Sequence, residues 1–129
     1  METQIPRLGL KINAKKLVIF ALMFFVVVLL AQTVFYAFQY SVVYFRTGDI
    51  YFGRFLPFPF NFIFDTWILQ RDGNGQVFLV KAQNMIWKPL GFIHLNPEEI
   101  VFFAPLSRQS QVWKTIDLGK NSSEPVLIQ

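Results

Sequence analysis

The sequence predicts one N-terminal membrane-spanning helix followed by a small, mainly-β domain of about five strands. Three stretches carry this reading. Leu17 to Ala31 is an unbroken apolar run, "LVIFALMFFVVVLLA". "VYFRTGDIYFGRF", Val43 to Phe55, reads as two short aromatic strands folded about Thr47-Gly48-Asp49. Asp72-Gly73-Asn74-Gly75 separates two further apolar runs and is the clearest hairpin signal in the chain.

The helix comes first. Gln32 and Thr33 interrupt the run mildly, and "VFYAF" carries it to Phe38. A helix over 17–38 is about 33 Å long, close to the thickness of a hydrocarbon core. Its phenylalanine and β-branched content would favour a strand in water. In lipid a lone segment must satisfy its own backbone hydrogen bonds, so it must be helical. Tyr36 and Tyr40 suit a headgroup belt, with an apolar ring and a polar tip. A chain of 129 residues is too small to surround such a helix with protein.

Charge sets the expected orientation. Arg7, Lys11, Lys15 and Lys16 stand before the segment against Glu2, and the first charge after it is Arg46. The positive-inside rule then puts residues 1–16 in the cytoplasm and the rest outside. The localisation this implies is a membrane crossed once, with the N-terminus cytoplasmic and the C-terminal domain extracytoplasmic. The stretch 42–106 carries no net charge, so the overall +4 reflects an inner membrane contact and not a nucleic-acid surface. A cleaved signal peptide is the rival reading, but Leu29 before Ala31 and Phe35 before Ala37 are poor cleavage contexts.

The exported domain is expected over 41–106. Val42–Arg46, Ile50–Leu56, Phe62–Gln70, Gln76–Ala82 and Ile100–Leu106 are rich in aromatic and β-branched residues. Phe92–Leu95 adds a short piece. Gly48, Gly73 and Gly75 are the turn glycines, and Gly53 marks an expected bend where backbones approach closely. Pro57 and Pro59 break the chain between the second and third strands. Asn96-Pro97-Glu98-Glu99 reads as a turn or one capped helical turn. Residues 107–129 read as a polar tail, with a short helix over Gln109–Ile116.

"VVYFRTGDIYFGRF", "FIFDTWILQR", "VFLVKA" and "LNPEEIVFFAPL" follow one another in an order that resembles an uncharacterised group of small single-pass membrane proteins of candidate-phylum bacteria (Patescibacteria). The resemblance covers roughly 15–106 and rests on Gly48, Tyr51, Phe52, Gly53, Asp65, Leu79, Val80, Lys81 and Ile100. It implies an anchor and a β domain, and it transfers no catalytic residue. The aromatic insert Pro57-Phe58-Pro59-Phe60 and Trp87 depart from the pattern. The strand spacing also resembles small SH3-like or Sm-like barrels, a likeness of fold that carries no function.

Simple alternation puts Tyr44, Arg46, Ile50, Phe52, Phe62, Phe64 and Ile68 on one side, and Tyr51, Phe55, Ile63 and Trp67 on the other. Both sides are apolar in places. One packs the core, and the other is expected to meet membrane, a partner or a second copy. Phe58, Phe60, Trp67 and Trp87 are the expected interface residues.

Chemistry is sparsely provided. The chain has no cysteine and one histidine, His94, which excludes disulfides, thiol nucleophiles and histidine clusters. No cofactor, metal or catalytic residue is expected. Asp49 and Asp72 belong to turns, and Glu98 and Glu99 to a turn or helix start. Asp65 is the odd acid, placed inside an aromatic strand. The expected function is a membrane-anchored structural or assembly module, with the bilayer and a protein partner or second copy as its contacts. The alternatives are an extracytoplasmic glycan- or peptide-binding module and a small envelope hydrolase using Asp65 with a second carboxylate.

Overall fold

The computed structural model describes residues 13 to 128; Arg7, Lys11 and most of the basic N-terminal segment lie outside them. Two compact units are present, one ending at Gln32 and one running from Thr33 onward. A 24-residue helix, α1, spans Ala14–Ala37. Asn13 caps it, its side-chain oxygen accepting from the Lys15 N–H at 3.2 Å. The helix has a mean hydropathy of 2.8 over its most apolar window and none of that window is buried. It is long and apolar enough to cross a membrane, and a signal sequence has the same character.

Among the described residues seven strands follow: β1 Ser41–Phe45, β2 Ile50–Leu56, β3 Phe62–Arg71, β4 Val77–Lys81, β5 Phe92–His94, β6 Ile100–Pro105 and β7 Val126–Leu127. All pairings are antiparallel, in the order β6-β1-β2-β3-β4-β7, with β5 on the first part of β3. The expected closed barrel of about five strands is therefore not formed. Closure needs a ladder between the terminal strands. Here β7 is two residues long, and β6 ends at Pro105, which has no N–H to donate.

The turns follow from their residues. Gly48 has φ +90° between β1 and β2, and its N–H donates to the Phe45 carbonyl at 3.0 Å. In the β3–β4 hairpin, the Asp72 carboxylate accepts from the N–H groups of Asn74 and Gln76, and Gly75 has φ +82°. Gly73 has an ordinary φ there and open space around it. A 3-10 turn, Pro97–Glu99, begins at Asn96, whose side chain accepts from the Glu98 N–H.

Gly53 meets the sheet's main irregularity. Phe52 pairs with Trp67 and Arg54 with Phe64, so β3 spends one more residue than β2 between these pairs. The extra residue falls at Asp65–Thr66, and Asp65 has φ +47°. This is a β-bulge, which bends a strand and increases its twist. A Cβ on Gly53 would lie 2.7 Å from the Phe64 carbonyl oxygen and 2.7 Å from Ile63 Cγ1. Only glycine lets the strands come this close.

The bulge also corrects the alternation expected from sequence. One inserted residue moves every later side chain of β3 to the opposite face. Trp67 therefore packs with Tyr40, Phe52, Leu79 and Ile116. Ile63 lies in a second cluster with Val43, Phe45, Phe55 and Leu95. Ile68 pairs with Tyr51 and not with the Phe52 side.

Residues beyond 106 are part of the fold and not a loose tail. A second helix, α2, spans Gln111–Gly119 and is capped by Ser110, whose hydroxyl accepts from the Trp113 N–H at 3.1 Å. Its Ile116 is fully buried against Trp67 and Leu79. Strand β7 then pairs with β4 through Val126 and Leu127.

Candidate functional site

Two features stand out around β1: a polar clamp at its start and a bare apolar edge beside it. Tyr40 precedes β1 and is buried, yet its hydroxyl donates to the Asp65 carboxylate on β3, passing strand β2. Lys81, at the end of β4, lies 4.0 Å from the other Asp65 oxygen and 5.6 Å from the Trp67 ring centroid. The Arg54 guanidinium stands 5.5 Å from the Tyr40 ring centroid. Asp65 reaches these partners because its left-handed backbone turns it out of the regular pleat.

Burial holds the Tyr40 hydroxyl well above the usual phenol pKa, and the hydrogen bond and charge of Asp65 add to this against the opposing pull of Arg54. A phenol so placed keeps its proton and ties β1 to β3. Among the described residues, the groups that reach Asp65 are a hydroxyl and an ammonium, with no carboxylate paired to it. The other acids within residues 42–106 sit in turns. Asp49 accepts from the Thr47 hydroxyl at 2.7 Å, Asp72 holds its hairpin, and Glu98 and Glu99 lie in the 3-10 turn. No cluster of three metal-ligating side chains occurs among the described residues.

The edge is made by β6. Among the described residues its one neighbouring strand is β1. From Ile100 to Leu106 it carries no charge. Val101 and Phe102 are 55% and 51% exposed. Phe102 stacks on Tyr44 with ring centroids 5.3 Å apart. The register shifts near Val101, but Phe102 to Pro105 pair regularly with Ser41 to Tyr44. The Leu106 N–H donates to the Tyr40 carbonyl at 2.7 Å. Since bonded and non-bonded pairs alternate along an antiparallel ladder, the backbone of Phe103 faces the free edge. Charge, proline and bulges commonly blunt such edges; this one has a bulge at its start and a proline at its end, with three apolar residues between them.

The residues expected at an interface divide. Phe58 is 76% exposed, and Phe60 and Trp87 are also exposed. Trp67 has no exposed surface and packs the core; the bulge places it on the Phe52 side of the sheet. Val101 and Phe102 were not singled out from sequence. Their signal is an uncharged aromatic strand, which reads the same whether the strand is central or terminal.

A separate cavity of about 320 Å³ lies between α2 and β7, lined by Gln111, Lys114, Thr115, Leu118, Val126 and Leu127. It has neither an aromatic platform nor a carboxylate. Comparison of the chain with protein-family models, curated proteins and solved structures gives no match.

Proposed function

We propose that the protein is a membrane-anchored assembly module that pairs with a second copy or partner chain through the free edge of β6. The observation that carries this reading is the uncharged edge, with its Phe103 backbone facing outward and Val101 and Phe102 exposed. Strand addition supplies main-chain hydrogen bonds, and side chains alternating along the edge supply selectivity. In this proposal α1 holds the protein in a bacterial cytoplasmic membrane. The lysines at its start keep the N-terminus inside, and the β domain works outside.

Two other readings draw less support. A glycan site calls for a concave aromatic surface, and the cavity beside α2 has no aromatic lining. A hydrolase calls for two acids across a scissile bond, whereas Asp65 is engaged by Tyr40 and Lys81. Crosslinking of the full chain in mild detergent tests the proposal. Val101→Lys and Phe102→Lys put charge on the edge without touching the buried clusters. Loss of crosslinked species with an intact melt is expected. Unchanged assembly in both variants would refute pairing through this edge.

A further inference from the structure

We infer that the Pro57–Asn61 loop is a second membrane contact, with the Phe58 and Phe60 rings seated in the headgroup–acyl boundary beside the end of α1. This rests on α1 being a membrane span. It goes beyond that reading by giving the β domain a lipid-facing surface of its own.

Position is the first argument. Phe103 touches two rings: Tyr36, in the last turn of α1, at 6.2 Å between centroids, and Phe55 at 5.0 Å. Phe55 lies two residues before Pro57. One ring therefore joins the helix end to the base of the loop. A helix of 24 residues is about 36 Å long, slightly more than a hydrocarbon core, which brings Tyr36 to the interface. The base of the loop is then two ring contacts from Tyr36, at the end of the sheet where β1 begins.

Chemistry is the second. "LPFPFN", Leu56 to Asn61, has no charge, so nothing in it resists the headgroup boundary. Phe58 is exposed over three quarters of its surface, and Phe38, just past α1, is similarly bare. Burying such rings away from water is favourable in proportion to their apolar area.

Preorganisation is the third. The Phe60 N–H donates to the Pro57 carbonyl at 3.1 Å, and the Asn61 carbonyl accepts from the Leu95 N–H at 2.8 Å. Asn61 itself is left-handed, with φ +50°. The loop is tied at its base, and its two prolines restrict it further. Seating it in lipid orders little that is not ordered already.

The chain has no cysteine, so single-cysteine probes are unambiguous. Phe58→Cys and Asn74→Cys, the latter at the exposed tip of the β3–β4 hairpin, would each carry an environment-sensitive fluorophore. The full chain would be placed in vesicles of phosphatidylcholine and phosphatidylglycerol containing a lipid with a nitroxide near the headgroup. The probe at 58 should be quenched by that lipid at least about twofold more than the probe at 74, and less by aqueous iodide. Equal iodide quenching at both sites would overturn the seating. Protection at 58 that disappears when Phe102→Lys is added would assign the cover to a second copy, which also overturns it. A chain that does not float with the vesicles removes the anchor and the seating together. One that floats with position 58 open to water removes the seating alone.

Discussion

The Tyr40 hydroxyl donates to the Asp65 carboxylate, joining a residue three positions beyond α1 to the bulge in the middle of β3. Tyr40→Phe leaves the ring in place and removes the donor. It should destabilise the domain by about 1–3 kcal/mol, because a partly buried carboxylate then loses its hydroxyl partner. Asp65→Asn should cost less than Asp65→Ala, since asparagine still accepts a hydrogen bond and tolerates left-handed backbone. Denaturant titrations of these variants measure the order. A Tyr40→Phe variant as stable as the parent would show the clamp to be energetically idle.

The same phenol gives a pH dependence of fixed sign. Burial raises the pKa of Tyr40, and of Tyr51, so the folded state favours their neutral forms. Their contribution is complete below the ordinary phenol value of about 10 and is lost as pH rises beyond it. Melting temperature should therefore fall above about pH 10, and Tyr40→Phe should flatten part of that fall. An equally steep fall in the variant would mean that other groups control the alkaline limb.

Gly53 and Gly73 should respond oppositely to alanine. A methyl group at 53 meets the Phe64 carbonyl and the Ile63 side chain, and backbone cannot move aside cheaply. Gly53→Ala should cost about 1–3 kcal/mol or more. Gly73 has open space and an ordinary φ, so Gly73→Ala should stay within about 0.5 kcal/mol. At Gly48 the cost of valine comes from its φ of +90° alone, about 1–2 kcal/mol. Thermal melts of the three variants separate crowding from conformational strain.

Topology gives a cellular test. If Lys15, Lys16 and the basic residues before them hold the N-terminus inside, protease added to spheroplasts should digest the β domain and spare an N-terminal tag. Protection of the β domain would reverse the proposed orientation.

Local structure was legible where one residue type forces the backbone. Ile50–Leu56 has the same ends in the sequence reading and in β2, fixed by the Gly48 turn before it and Pro57 after it. The Asp72 hairpin was readable for the same reason. Faces were not, because a bulge has no periodic signal. Asp65 looks like one more residue of an alternating strand, and the bulge at its left-handed backbone puts Trp67 on the Phe52 side instead of the Ile63 side. Strand β7 was missed because two residues carry no pattern; Val126 joins the sheet only because β4 offers Leu79 as a partner. The bare edge of β6 depends on which strand ends the sheet, a property of topology and not of its own residues.

Strand β1 is interior: β2 bonds it on one side and β6 on the other. It is also the first strand after α1. Tension drawn through the helix therefore reaches the domain at a doubly bonded strand, and not at a free end that could peel away one bond at a time. Two ladders must fail together before the load unravels the sheet. The rupture rate under load is set by the unfolding barrier and not by equilibrium stability. Under the proposed anchoring, a domain attached to its tether in this way would resist force drawn between the bilayer and the chain paired with it.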